Sequence, residues 1–115
     1  MQMAKVLLAE DDPTMVSLLT TLLKMEGFDV FALDASMDVA AEVEKQKPDA
    51  LFMDVHLGGQ SGMKILEKIR RNDKNSGVRI IMTSGMNMKD ECMNLGADVF
   101  LLKPFMPDDL ISVLR

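Results

Sequence analysis

The chain has 115 residues, room for one domain and too little for two. Apolar residues make up 48% of it and charged residues 27%, with a formal charge of −5; this predicts a packed core and speaks against unaided nucleic-acid binding, which needs a basic face. The lone cysteine, Cys92, rules out an internal disulfide and fits a reducing, cytoplasmic setting, and no apolar run is long enough for a signal-peptide core or a membrane span.

Residues 6–9 form a short apolar run closed by Glu10, Asp11 and Asp12 and read as a buried strand. Asp12-Pro13 starts a helix, with aspartate as the N-cap and proline at the first helical position. Leu18, Leu19, Leu22 and Leu23 then recur at helical spacing until Gly27. A second strand is predicted over 28–33. Ser36 is taken to cap a second helix with Val39, Ala40 and Val43 inward, broken by Pro48-Asp49. Residues 50–53 read as a third buried strand ending on Asp54, and 57–62 as a loop with three glycines. Met63, Ile65, Leu66 and Ile69 give a third amphipathic helix. Beyond the polar turn at 72–77, a fourth strand over 79–82 runs into Thr83-Ser84-Gly85. A short fourth helix over about 89–95 is stopped by Gly96. The fifth strand, 99–102, ends on Lys103-Pro104. Asp108 is read as the cap of a last helix still running at Arg115, as though cut short. The twelve methionines, beside five phenylalanines and no Trp or Tyr, read as core filler.

Five strands alternating with five helices predict an α/β fold, a parallel sheet covered on both faces. Ligands of such sheets sit beyond the carboxyl ends of the strands. Those ends carry Glu10, Asp11 and Asp12, then Asp54, Thr83 with Ser84, and Lys103. With the first strand central and the third and fourth beside it, Glu10, Asp11, Asp54, Thr83 and Lys103 converge on one edge. Three carboxylates in one pocket stay ionised together only with compensating positive charge, which Lys103 and a divalent cation would supply. All-oxygen ligation suits a hard ion such as Mg²⁺, and one His with one Cys makes a zinc site a poor fit. A carboxylate beside such a cation can act as nucleophile toward a phosphoryl group, with the lysine and a threonine hydroxyl stabilising its oxygens.

At this point the sequence resembles the receiver domains of two-component response regulators, over essentially its whole length. The resemblance rests on Val6-Leu-Leu-Ala-Glu-Asp-Asp-Pro13, on Asp54 with Gly62 eight residues on, on Ile80-Ile-Met-Thr-Ser84, and on Leu95-Gly-Ala-Asp98 leading to Lys103-Pro104-Phe105. It implies one receiver domain over 1–115 with a flavodoxin-like (βα)5 doubly wound sandwich of strand order 2-1-3-4-5, an order carried over from the chemotaxis members. It also implies that Asp54 accepts a phosphoryl group from a sensor histidine kinase or phosphotransfer protein. Mg²⁺, or Mn²⁺ in its place, would be held by Asp11 directly, by Glu10 mainly through water, by Asp54 and by the His56 backbone carbonyl. Thr83 and Ser84 would meet the phosphoryl group, Lys103 would pair with one of its oxygens, and Phe100 takes the place of the rotating aromatic switch. The Lys103-Pro104 bond would be cis. The implied role is signalling, with catalysis limited to the domain's own phosphorylation and slow dephosphorylation. Expected partners are an output domain or docking partner, or a second copy through helix 4, strand 5 and helix 5, with neither nucleic acid nor membrane bound directly.

The sequence departs from the family pattern in places. Gly58, followed by Gly59, stands where many members have a proline four residues after the phosphoacceptor, which predicts a looser loop. The segment from Thr83 to Gly96 is about two residues shorter than in chemotaxis members, and Phe100 has no hydroxyl. Two alternatives accompany the main reading. One is a pseudo-receiver that binds a partner without phosphorylation. The other is a small Mg²⁺-dependent phosphatase similar to the haloacid-dehalogenase group, in which Glu10-x-Asp12, Thr83, Lys103 and Asp108-Asp109 would serve.

Overall fold

The computed structural model describes residues 4–34 and 36–115. Strands β1 (Lys5–Ala9), β2 (Asp29–Ala32), β3 (Ala50–Asp54), β4 (Arg79–Ser84) and β5 (Val99–Leu102) alternate with helices α1 (Pro13–Met25), α2 (Val39–Gln46), α3 (Gly62–Arg71), α4 (Lys89–Asn94) and α5 (Pro107–Leu114). The sheet runs in the order β2-β1-β3-β4-β5, and every neighbouring pair is parallel. This is the predicted doubly wound fold.

Successive residues of a strand point to opposite faces, and both faces here are covered. Leu7, Leu51 and Ile80 pack with Val39, Val43, Leu66, Ile69 and Cys92 of α2, α3 and α4. Val6, Leu8, Phe52 and Ile81 pack with Leu19, Leu23 and Leu110 of α1 and α5. Burial on both sides is why β1, β3 and β4 read as continuous apolar runs with no alternation. Among the described residues no helix is long and apolar enough to cross a membrane.

The helix signals hold at α1, where the Asp12 carboxylate accepts from the Thr14 and Met15 N–H groups at 3.0 and 3.4 Å ahead of Pro13. They fail at two other starts. The cap of α2 is Asp38, which accepts from Ala41 N at 3.1 Å. Ser36 instead donates its N–H to Asp34 at 2.9 Å in a local turn, and these bonds hold the Asp34 carboxyl below its usual range. At α5 the cap is Met106, because Pro107 takes the first helical position. Asp109 then reaches back to accept from Met106 N at 3.1 Å, leaving Asp108 in the first turn. The predicted loop over 57–62 contains a tight hairpin, His56–Leu57 against Gln60–Ser61.

Candidate functional site

The parallel sheet puts the carboxyl ends of β1, β3, β4 and β5 on one edge. Glu10 follows β1 and Asp54 ends β3, and both are buried, at 4% and 7% exposure. Thr83 and Ser84 close β4 and are buried as well, while Asp11 and the His56 side chain are exposed. Lys103, just beyond β5, donates from Nζ to Glu10 Oε1 at 2.6 Å and to Asp54 Oδ2 at 2.5 Å. Backbone N–H groups hold the other oxygens of Asp54 and Glu10 and one oxygen of Asp11. Asp54 Oδ1 accepts from His56 N at 2.8 Å. Glu10 Oε2 accepts from Asp11 N and Asp12 N at 2.9 and 3.3 Å. Asp11 Oδ2 accepts from Gly58 N at 2.9 Å.

Ligand oxygens of Glu10, Asp11 and Asp54 lie within 4.8 Å of one another, so one ammonium faces three carboxylates. Burial holds the Glu10 carboxyl above its ordinary range, and the charge of Asp54 adds to this against the Lys103 hydrogen bond. Burial alone would lower Lys103, but its bonds to Asp54 and Glu10 outweigh it and leave the ammonium more firmly protonated than usual. The cluster is thus short of positive charge and offers only oxygen donors. That set fits a small, hard divalent cation such as Mg²⁺.

Gly62 is a glycine for a reason of space. A Cβ there would lie 2.2 Å from the Asp54 carbonyl oxygen, while the Gly62 N–H donates to Val55 O at 2.7 Å. The loop leaving Asp54 therefore folds tightly back under it. Thr83 is near by register, paired with Asp54 across β3 and β4, but its hydroxyl donates to Leu101 O at 2.7 Å. Ser84 Oγ accepts from Met86 N at 3.1 Å. Phe100 is half-buried against the cluster that contains Cys92. The Lys103-Pro104 peptide bond is cis.

The structure therefore brings Glu10, Asp11, Asp54 and Lys103 together and keeps the hydroxyls of Thr83 and Ser84 on backbone partners. Of the carboxylates that the phosphatase alternative needs, Glu10 is in the cluster, while Asp12 and Asp109 are occupied at helix starts and Asp108 is exposed in the first turn of α5. Sequence reasoning missed the backbone groups of Gly58 and Leu101. It read Gly58 for its conformational freedom alone; the residue has a φ of +58° and donates its N–H to Asp11.

Residues 6–115 match the family model described as the response regulator receiver domain. The chain belongs to the response-regulator receiver family. Among relatives of this receiver, the DNA-binding response regulator MtrA of Mycolicibacterium smegmatis is 32% identical over 114 residues, covering 96% of this chain and 49% of the relative. The phosphate regulon transcriptional regulatory protein PhoB of Pseudomonas aeruginosa is 25% identical over 113 residues, again 96% of this chain and 49% of the relative. The receiver chain thus spans about half the length of these relatives. Its fold is similar to that of chemotaxis response regulator CheY4 of Vibrio cholerae, with a TM-score of 0.88 and 26% identity over 98% of this chain and 97% of that one. It is also similar to the receiver domain of sensor histidine kinase PA1611 of Pseudomonas aeruginosa PAO1, with a TM-score of 0.84 and 26% identity over 98% and 95% of the two chains. That structure holds a magnesium ion in its active site cleft.

Proposed function

We propose that this receiver is a phosphorylation switch in which Asp54 takes a phosphoryl group from a phosphohistidine of a sensor kinase or phosphotransfer protein. The observation that carries the reading is Lys103 Nζ spanning the Glu10 and Asp54 carboxylates at 2.6 and 2.5 Å beside Asp11. Mg²⁺, with Mn²⁺ as substitute, supplies positive charge for the phosphoryl oxygens; Glu10, Asp11, Asp54 and the His56 backbone carbonyl would hold it. The His56 N–H fixes the Asp54 carboxylate and so limits its rotation before attack. An oxygen of Asp54 attacks phosphorus, the phosphorus–nitrogen bond to the donor histidine breaks, and the imidazole leaves with the electron pair and takes up a proton. Lys103 exchanges Asp54 for a phosphoryl oxygen as its partner.

Thr83 sets the readout. Its hydroxyl is held by Leu101 O, and turning toward the phosphoryl group requires giving up that bond. Movement of Thr83, with Phe100 behind it, shifts a two-state equilibrium of α4, β5 and α5. An output domain, a docking partner or a second copy of the chain would read this face, in a cytoplasmic setting. Of the relatives of about twice this length, MtrA is named a DNA-binding response regulator and PhoB a transcriptional regulatory protein, which supports a regulatory input role. The acidic balance of this chain speaks against direct nucleic-acid contact by this domain.

The test is incubation with acetyl phosphate and Mg²⁺, followed by intact mass and acid stability of the adduct. Wild type gains one phosphoryl group and Asp54→Asn gains none. Stoichiometric labelling of Asp54→Asn overturns the assignment, and a wild-type chain that takes neither Mg²⁺ nor label leaves the pseudo-receiver reading in its place.

A further inference from the structure

The segment between β3 and α3 touches the carboxylate cluster twice through its backbone. The His56 N–H holds Asp54 at 2.8 Å. Two residues later, the Gly58 N–H holds Asp11 at 2.9 Å, across 47 positions of sequence. We propose that Gly58 is a positioning residue for the cation site: its N–H fixes the Asp11 carboxylate, so that the loop presets Asp11 and Asp54 together before a cation arrives. This rests on the reading above in which Asp11 binds Mg²⁺.

Two features of the loop make this a built arrangement. Gly58 has a φ of +58°, a conformation open to glycine and costly for most side chains. Proline, with φ near −65° and no N–H, could neither adopt it nor donate. The hairpin around Gly58 is pinned at both ends, by buried Leu57 and by Gly62, whose close approach to the Asp54 carbonyl leaves no space for a side chain. Asp11, by contrast, is an exposed side chain that without this bond would sample several rotamers. Ordering such a group in advance removes an entropic cost from ion binding.

The experiment is Mg²⁺ titration of the whole chain, followed by amide chemical shifts, for wild type, Gly58→Pro and Gly58→Asn. Asparagine keeps the N–H and is among the few residues that enter the left-handed region. Gly58→Pro is expected to weaken Mg²⁺ binding by about tenfold or more, the lower end for a hydrogen bond to a charged group, and Gly58→Asn to restore it to within about threefold of wild type. Unchanged or tighter binding in Gly58→Pro overturns the proposal, as does equal weakening in both variants, which would make loop shape and not the N–H the cause. A second measurement does not depend on Gly58→Pro folding. Hydrogen exchange at the Gly58 amide is expected to accelerate in Asp11→Ala without metal; an amide indifferent to that change overturns the proposal. A wild-type chain that fails to bind Mg²⁺, yet has a Gly58 amide protected by Asp11, instead overturns the metal reading on which the role depends.

Discussion

Cys92 lies wholly buried on the core-facing side of α4, and burial pushes its thiol pKa up, with the charge of Glu91 adding to the effect. The thiolate is the reactive form, so this sulfur is both inaccessible and held protonated. Folded protein is expected not to react with Ellman's reagent over a period in which the urea-unfolded chain reacts fully. Raising the pH from about 7 to 8.5 should not open it, because the upward shift keeps the native thiol protonated through that window. Rapid labelling of the native chain would contradict this. At the candidate site, the legible residues were those whose type is costly at the end of an apolar strand. Glu10, Asp54 and Lys103 stood out for that reason and meet in one cluster. Backbone donors and acceptors carry no residue-type signal, so the His56 and Gly58 N–H groups and the Leu101 carbonyl could not be read. Glycine in a sequence signals conformational freedom, and at Gly58 that freedom admits a positive φ; the bond its N–H makes carries no such signal. Thr83 was legible as a hydroxyl in register with Asp54, but the direction in which it donates is a property of the fold.

Among the elements, the last turn of α3 is fastened by one side chain to three acceptors on two other segments. Arg70 donates from Nε to Gly96 O at 2.8 Å, from Nη1 to Asn75 O at 2.9 Å and from Nη2 to Asp98 Oδ2 at 2.8 Å. That Asp98 oxygen also accepts from Ile80 N of β4 at 2.8 Å. Gly96 leaves room for the arm, since a Cβ there would lie 2.8 Å from Arg70 Cγ. Arg70→Ala is expected to cost about 2–4 kcal/mol, because it leaves two carbonyls and a carboxylate without their charged donor. Arg70→Lys should lose most of the same amount, since a single ammonium cannot reproduce a planar fork aimed at three acceptors. Urea denaturation of the two variants measures this, and a wild-type midpoint for Arg70→Lys would refute the staple. Nothing in the sequence announced it, for an arginine near a helix C-terminus reads as a partner of the helix dipole. Strands were legible because burial on both faces leaves continuous apolar runs. Helix starts were legible only where one cap candidate stood alone, as at Asp12. At α2 and α5 the sequence pointed to Ser36 and Asp108, while the caps are Asp38 and Met106; a polar residue near a helix start does not by itself show which position begins the turn.

For the molecule as a whole, the sheet order places three carboxylates at one end of a chain already carrying a formal charge of −5. Folding assembles that repulsion, whereas the unfolded chain holds Asp54 far from Glu10 and Asp11. A cation that binds the assembled cluster and not the unfolded chain must therefore stabilise the fold. At a hundredfold excess over its Kd the gain is about 2.7 kcal/mol. For a domain of this length that corresponds to a rise in Tm of roughly 10 °C. The rise should saturate with MgCl₂, reverse with EDTA and vanish in Asp11→Ala. NaCl at matched ionic strength gives the control, because screening acts over the whole surface while binding acts at one site. Equal shifts from NaCl and MgCl₂, or an undiminished Mg²⁺ shift in Asp11→Ala, would mean that the salt relieves the overall negative charge and that the cluster at the carboxyl edge holds no ion.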